Sequence, residues 1–449
     1  MKVLLVVHQF LPRHITGTEQ YVRALALAMR AGGIDAHVLA YEPLIHIDSP
    51  GSLFLERDDE VEGIPVRRIA IDYRLSPNPE LRDYQNPLVG RLLARHLDQG
   101  GFDLVHVFHP RHIGPATILE PRARGIPVVV NLMDFWWICP NYLLWRRDGS
   151  LCDGPPEGGA GCIPCIDPAL DRAVQERGVL PLLHKMGTSP TPAGNLGESV
   201  VRQAHALLGR KEQLMALLAQ ADRVIAPSEF IARIYREHGL PAEHIVHLPY
   251  GLDPGRFASM PPRKEVRGKP HLDLGYTGSI SRHKGVHVLI EAMNYVEAPN
   301  VRVHIHGRRD SQPGFSEALI DSIQDPRITF HGAFAPAELG SVLSGLDALV
   351  VPSLWYENTP FSVLEALHAG VPVIASDLGG IAEIVREGES GLLFAAGKAN
   401  KLAEIIRRIA ADPEATLAIT PPRPPSIADN LTQLQSLYES LIAEASAPN

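Results

Sequence analysis

The sequence predicts an α/β protein built as two doubly wound, parallel-sheet domains facing across a cleft. Three observations predict it. Short apolar runs alternate with stretches of helical period along the whole chain, as in repeated βα units. The 449 residues exceed what one hydrophobic core usually holds. Finally, the nearly apolar-free, proline-containing stretch 259–270 separates one series of such units from another.

In the first series, Val3–Val7, Ala36–Ala40, Val66–Ile71, Leu104–Phe108, Val128–Leu132 and Arg223–Ala226 are the expected strands. Glu19–Arg30 follows the first as a helix, with Tyr21, Val22, Leu25, Leu27, Ala28 and Met29 at helical spacing and Gly32-Gly33 to stop it. Residues 166–200 are rich in Pro and Gly and read as a long loop or lid, and Val201–Ala219 as an amphipathic helix. In the second series, Leu272–Tyr276, Val301–Ile305, Ile328–Phe330, Ala348–Val351 and Val371–Ala375 are expected strands, with helices at Val286–Tyr295 and Phe361–Ala369. The resulting division is a first domain over 1–258 with a cysteine-containing loop at 139–200, a linker at 259–270, a second domain over 271–420, and a tail over 421–449. That tail carries Leu431, Leu434, Leu437, Tyr438 and Leu441 at helical spacing and is expected to pack back across the domain junction.

Composition narrows the function classes. Forty-two Lys plus Arg against 51 Asp plus Glu leave a net charge of −9, the wrong balance for a dedicated nucleic-acid binder. No apolar run reaches the roughly eighteen residues of a membrane-crossing helix. The apolar start Met1–Val7 is broken by His8-Gln9 with no cleavage-site pattern after it, so a buried strand and a cytoplasmic protein are expected.

The densest chemical constellation runs from Glu357 to Glu365. A strand ends at Pro352 and a loop carries Glu357 and Asn358. Thr359 suits an N-cap and Pro360 a first helical position. The amides of Phe361 and Ser362 would then open a helix whose positive end suits a diphosphate. Glu357 before this helix start and Glu365 on the helix would bracket the anion, accepting paired hydrogen bonds from sugar hydroxyls.

With that segment in its setting, the chain resembles the retaining glycosyltransferases of family 4, whose GT-B architecture is two facing Rossmann-like domains. Their hallmark is two glutamates with seven residues between them, matched by Glu357 and Glu365. The stretches Asp347–Ser353, Ala369–Ser376, Gly379–Val385, Ala221–Ser228, Leu248–Asp253 and Gly391–Phe394 agree, so that the likeness runs from residue 1 to about 445. The resemblance implies that Glu365 binds the nucleotide ribose and that Glu357 lies by the transferred sugar. It also implies that Gly278, Ser279, Arg282 and Lys284, after the first strand of the second domain, hold the diphosphate. Lys284 would supply positive charge to the leaving group. Ser279 stands where the family usually has Arg, and Arg282 is the neighbour that could replace it. In the first domain, Gly17 matches a glycine-rich donor loop in which Thr18 replaces a second glycine. Relatives commonly have His before Asp134; here Met133 occupies that place, and His109 is the candidate replacement, with Asp134 and Trp136 on the acceptor side. Glu357, Lys284 and Asp134 are the expected catalytic residues.

The implied activity is transfer of a hexose-type sugar from a nucleoside-diphosphate sugar to a saccharide, lipid-linked or small-molecule hydroxyl acceptor, with retention and without a catalytic metal. Polysaccharide or glycolipid synthesis, with peripheral contact at the inner face of the membrane, fits that activity. A nucleotide-sugar-binding protein with weakened catalysis, or a nucleotide-sugar epimerase, are the alternatives.

Two further clusters carry metal-ligand residue types. Cys139, Cys152, Cys162 and Cys165 are the only four cysteines and all fall within the one loop. Their terminal C-x2-C step suits a structural zinc, with free thiols and an iron–sulfur or redox role left open. His304 and His306 alternate on one strand face without an evident third ligand, which favours an ordinary strand.

Overall fold

The computed structural model describes residues 1–43, 54–71, 84–181, 199–262, 270–417 and 419–447. Packing divides them into two units: Met1–Pro227 with Ile231–Pro249 and Ile427–Asn449, and Ser228–Phe230 with Tyr250–Ser426.

In the first unit the strands are β1 (Lys2–Val7), β2 (Asp35–Pro43), β3 (Phe54–Val61), β4 (Ile64–Ile71), β5 (Leu104–Val107), β6 (Val128–Asn131), β7 (Arg223–Ala226) and β8 (Ile245–His247). They form one sheet in the order β3-β4-β2-β1-β5-β6-β7-β8, parallel except where β3 folds back antiparallel on β4. Val3–Val7 and Leu104–Val107 are buried along their full length, because helices must cover both faces of such a sheet. The chain leaves β1 toward β2 on one side and later returns to add β5 on the other. The carboxyl ends of β1 and β5 therefore flank the switch point where open α/β sheets hold ligands.

The second unit repeats the plan with β9 (Leu272–Thr277), β10 (Val301–His306), β11 (Ile328–Gly332), β12 (Ala348–Val351), β13 (Val373–Ser376) and β14 (Gly391–Phe394). The order is β11-β10-β9-β12-β13-β14, and every recorded pairing is parallel. Successive residues of a strand serve opposite cores. Ala348 and Val350 enter the cluster with Leu274 and Leu289, while Leu349 and Val351 enter the one with Val363 and Leu367. Here the switch point lies between β9 and β12.

Several expectations need correction. Val201–Ala219 is two helices, Ser199–His205 and Arg210–Leu218, because Gly209 takes a left-handed conformation (φ 66°) and its N–H bonds to Gly158 O. The loop expected over 166–200 contains a helix at Pro168–Glu176, capped by the Asp167 carboxylate on the amides of Ala169 and Leu170; residues 182–198 lie outside the described residues. Strands β3, β8 and β14 were not expected. Most of the 259–270 linker (263–269) is outside the described residues, but the packing boundary falls earlier, after Pro249. Leu252 and Phe257 join the second unit's core, and Leu252 N–H bonds to Pro425 O, so 250–258 and 421–426 belong with the second unit. The terminal helix Ile427–Ser446 packs in the first unit. There Tyr21 donates to Asn430 Oδ1 (2.8 Å), and Tyr438 Oη lies 2.5 Å from His106 Nδ1.

Candidate active site

In the second unit, the loops after β9 and β12 bring Lys284 and Glu357 together at the switch point. Gly285 makes this approach feasible: its φ is +71°, and a Cβ there would lie 1.8 Å from Pro352 O. The Lys284 ammonium donates to Glu357 Oε1 at 2.7 Å and lies 5.1 Å from the centre of the Trp355 ring. The same oxygen accepts from Ser353 Oγ (2.8 Å) and Trp355 Nε1 (2.9 Å). Burial pushes the Glu357 carboxyl up, but Lys284 and the two neutral donors outweigh it and hold the group below its ordinary value. Glu357 is therefore a carboxylate at neutral pH. All three donors fall on Oε1, and none of these bonds uses Oε2.

The helix after this loop spans Phe361–His368, one residue shorter than expected. Pro360, not Thr359, is its N-cap: the proline backbone is extended (φ −69°, ψ 123°), and its carbonyl accepts the first intrahelical bond from Val363. Thr359 Oγ1 is buried and makes no hydrogen bond among the described residues. Beside it, the Ser362 amide precedes that first bond and so has no intrahelical acceptor. Asn358 is held by Ser228 Oγ, which donates to its Oδ1 at 2.8 Å. Glu365, further along the helix, is paired with Arg256 through Oε1. Burial pushes the Glu365 carboxyl up, and Arg256 offsets only part of that. The two glutamates of the motif are thus driven in opposite directions, the usual sign of two carboxyl groups with separate tasks.

Lys284 is where the motif expects it, but within the chain its charge serves Glu357. Arg282 does not join that pair: its guanidinium lies 5.2 Å from the centre of the Phe315 ring, and its backbone N–H donates to Gln312 Oε1. Gly278 and Ser279 are exposed, and Ser279 O accepts from Tyr276 Oη at 2.7 Å. Arg256 was missed in the sequence because it sits 109 residues before its partner, in a short 3-10 turn (Pro254–Phe257) beside the expected linker. Ser228 and Trp355 were missed as well. Only the nearness of Trp355 to Glu357 could have singled it out.

In the first unit, the expected residues again meet at the sheet's switch point. His109, two residues past β5, reaches Asp134 Oδ2 through Nε2 at 3.0 Å. Arg111 N–H lies 3.3 Å from His109 Nδ1, which makes Nδ1 the acceptor and Nε2–H the donor to Asp134. Asp134 Oδ1 accepts from Trp136 N–H at 2.8 Å. Trp136 is 1% exposed, so it cannot offer a face to an acceptor as expected. It packs against His109 and under the Arg210 guanidinium, which donates to the Trp136 carbonyl. Gly17 and Thr18 open the helix Gly17–Ala31, which starts two residues before the expected Glu19. Glu19 on that helix is fully buried and accepts from Gln9 Nε2 and Thr16 Oγ1. His8, read in the sequence only as the break after the first strand, has its ring centre 4.3 Å from that of His109, the two rings tilted; burial, with the facing histidines and Arg111, keeps it well below its ordinary value and therefore neutral.

His304 Nδ1 lies 3.0 Å from His331 Nε2 and its Nε2 3.0 Å from Asp273 Oδ1, while His306 stacks on His331. The third imidazole, His331, comes from β11 and could not be paired from spacing. Among the described residues, no three His, Cys, Asp or Glu side chains already stand in metal-binding geometry.

Two family models match the chain, together over more than half of it: a glycosyl transferase 4-like domain over residues 16–173 and glycosyl transferases group 1 over residues 271–412. The D-inositol 3-phosphate glycosyltransferase of Arthrobacter sp. is 25% identical over 414 residues, covering 88% of this chain and 82% of that protein. The glycogen synthase of Mycobacterium tuberculosis is 32% identical over 232 residues, 50% of this chain and 52% of its own length. Apart from the Arthrobacter enzyme, the first curated relatives are matched over about half of their length. Among solved structures, sucrose-phosphate synthase from Thermosynechococcus elongatus superposes with a TM-score of 0.61 at 19% identity, covering 99% of this chain and 96% of that one. Anabaena HepE with UDP and glucose superposes with a TM-score of 0.58 at 17% identity, covering 99% and 98%. The two parallel sheets, the paired glutamates at the second sheet's switch point and the two family models agree: this chain belongs to the family 4 glycosyltransferases of GT-B fold.

Proposed function

We propose that the enzyme moves a hexose-type sugar from a nucleoside-diphosphate sugar to a hydroxyl acceptor with retention of anomeric configuration and without a catalytic metal, in polysaccharide or glycolipid synthesis. The observation that carries this reading is the Glu357–Lys284 pair set against the start of the Phe361 helix. A carboxylate held ionised by burial-resistant partners accepts from sugar hydroxyls through Oε2. A lysine, a helix start and an unpartnered Thr359 hydroxyl favour the diphosphate beside it. Glu365, with Arg256 behind it, takes the ribose hydroxyls.

In the step itself, the bond from the anomeric carbon to the β-phosphate oxygen breaks while the acceptor oxygen bonds to that carbon on the same face. The acceptor proton passes to the departing phosphate. Lys284 and the helix start stabilise the charge that develops there, so a divalent cation is not required for that task. In the first unit, the His109–Asp134 pair supplies polar contacts for sugar or acceptor in place of the histidine that Met133 displaces. Solved relatives bound to UDP and glucose, and to ADP with acarbose, support a nucleotide-sugar donor.

The test is a donor screen followed by product analysis. UDP-, GDP-, ADP- and dTDP-sugars are first ranked by thermal shift, since a ligand that binds only the folded state raises its melting point. The best donor is then incubated with saccharide and lipid-linked acceptors, with and without EDTA, and the new linkage is read by proton NMR. Retention, unaffected by EDTA, is expected. An inverted linkage would overturn the mechanism; donor binding with no transfer to any acceptor class would favour a binding protein.

A further inference from the structure

We propose that Cys139, Cys152, Cys162 and Cys165 bind one zinc ion as a closed structural site that orders the loop beyond Asp134. The inference does not depend on the donor or acceptor of the reaction. Cys139, Cys152, Cys162 and Cys165 all line a single pocket. They reach it from separate pieces of backbone: Cys139 from the turn after the Asp134 segment, Cys152 from the far arm of a hairpin closed by the Trp145–Leu151 bridge, and Cys162 and Cys165 from one helical turn. None is paired in a disulfide, and Cys139, Cys152 and Cys162 are buried. Four unpaired cysteines lining one pocket are the donor set of a closed tetrahedral zinc site, and the C-x2-C step on a turn is its commonest half.

The loop's backbone shows why such a clip is useful. Tyr142, Leu144 and Glu157 all have positive φ, a conformation that non-glycine residues seldom adopt. Gly154 has φ +126°, and a Cβ there would lie 2.4 Å from the His238 ring. Cys139 Sγ donates to Asn141 Oδ1 (2.9 Å) and Cys152 Sγ to Gly154 O (3.1 Å). With these contacts made, no three of the four side chains stand in metal-binding geometry. Binding replaces these two S–H···O contacts by metal–sulfur bonds and releases four protons, leaving a net charge of −2 on the zinc and its four thiolates. Arg146, hydrogen-bonded to Cys152, and Arg210, whose charge acts on Cys139 and Cys162, offset that charge.

The site is tied to the reaction rim. Cys139 N–H donates to Phe135 O (2.7 Å), and Phe135 N–H donates to Tyr142 O (3.3 Å). Arg210 also holds the Trp136 carbonyl. The ion therefore braces the turn that aims Asp134, without touching substrate.

The experiment uses the full chain, purified without chelator or oxidant. Metal analysis is expected to find about one equivalent of zinc per chain, and exchange with cobalt(II) to give the strong visible and near-ultraviolet sulfur-to-cobalt absorption of a tetrathiolate site. Cys162→Ser and Cys165→Ser should each retain less than about a tenth of the zinc. Should those variants fail to fold, the cobalt spectrum of the unaltered chain still decides. Less than about half an equivalent of zinc, a cobalt spectrum without sulfur bands, bound iron with labile sulfide, or a Cys162–Cys165 disulfide found by mass spectrometry would each overturn the assignment.

Discussion

Glu357 and Lys284 depend on each other in an unequal way. Glu357 is almost wholly buried, whereas the Lys284 side chain is 28% exposed and can turn to water. Lys284→Ala should therefore cost more stability than Glu357→Gln. Stranding one member of a buried pair costs about 3–5 kcal/mol, and the lysine's partial exposure puts this case toward the lower end. Urea unfolding of both variants measures the difference. In turnover, Lys284→Ala should lower kcat by about 10²–10³-fold, the usual loss for a removed transition-state charge partner. The pair also sets an acid limit. Because folding lowers the Glu357 carboxyl below its ordinary 4.5, its contribution is complete above that value and is lost as pH falls through the lowered one. Melting temperatures from pH about 6 down to about 3 should fall less steeply for Glu357→Gln than for the natural chain. Glu357, Lys284 and Glu365 were legible because they sit in a dense local pattern. Arg256 was not, since an ion pair across 109 residues leaves no mark on either segment.

At the scale of elements, close backbone approaches decide how the active loop is set. A Cβ on Gly380 would lie 1.7 Å from Asn358 O and 3.2 Å from Ser228 Oγ. Gly380→Ala must therefore push the Asn358 segment away and break the Ser228–Asn358 hydrogen bond. A destabilisation of about 2–4 kcal/mol is expected, combining overpacking with a lost buried hydrogen bond, together with a raised KM for donor. Thermal unfolding and donor titration read the two effects. Strands covered on both faces were legible as apolar runs, and several expected boundaries agree closely with the structure. β3 was not legible, because Glu56-Arg57-Asp58-Asp59-Glu60 is a charged run that, among the described residues, pairs only with β4. The break at Gly209 was missed because apolar periodicity continues across it, and only its left-handed backbone interrupts the helix.

On the scale of the whole molecule, sequence order and packing order differ. The division into two units was legible from composition, but its boundary was not. The polar stretch at 259–270 stands out chemically, whereas the change of partners at Pro249 occurs inside ordinary apolar sequence. The terminal helix completes the first unit by covering His106, whose Nε2 lies 3.1 Å from Asn131 Oδ1. Burial pulls His106 to about 3. The unfolded chain takes up this proton below the ordinary 6.5, so the stability tied to neutral His106 is complete above that pH and declines as the solution is acidified toward the folded value. Tyr438→Phe should cost about 1–3 kcal/mol by leaving the buried imidazole short of a partner, which calorimetry at neutral pH would measure.

The same interleaving imposes an order on biosynthesis. Apart from Ser228–Phe230, the second unit is one continuous run, Tyr250–Ser426, and can close while the ribosome is still attached. The first unit begins emerging earlier yet must wait for Tyr438, which follows the whole of the second unit in the chain, to cover His106. A nascent chain arrested before that point would carry a finished later lobe and an unfinished earlier one, so chaperone demand should centre on the part translated first.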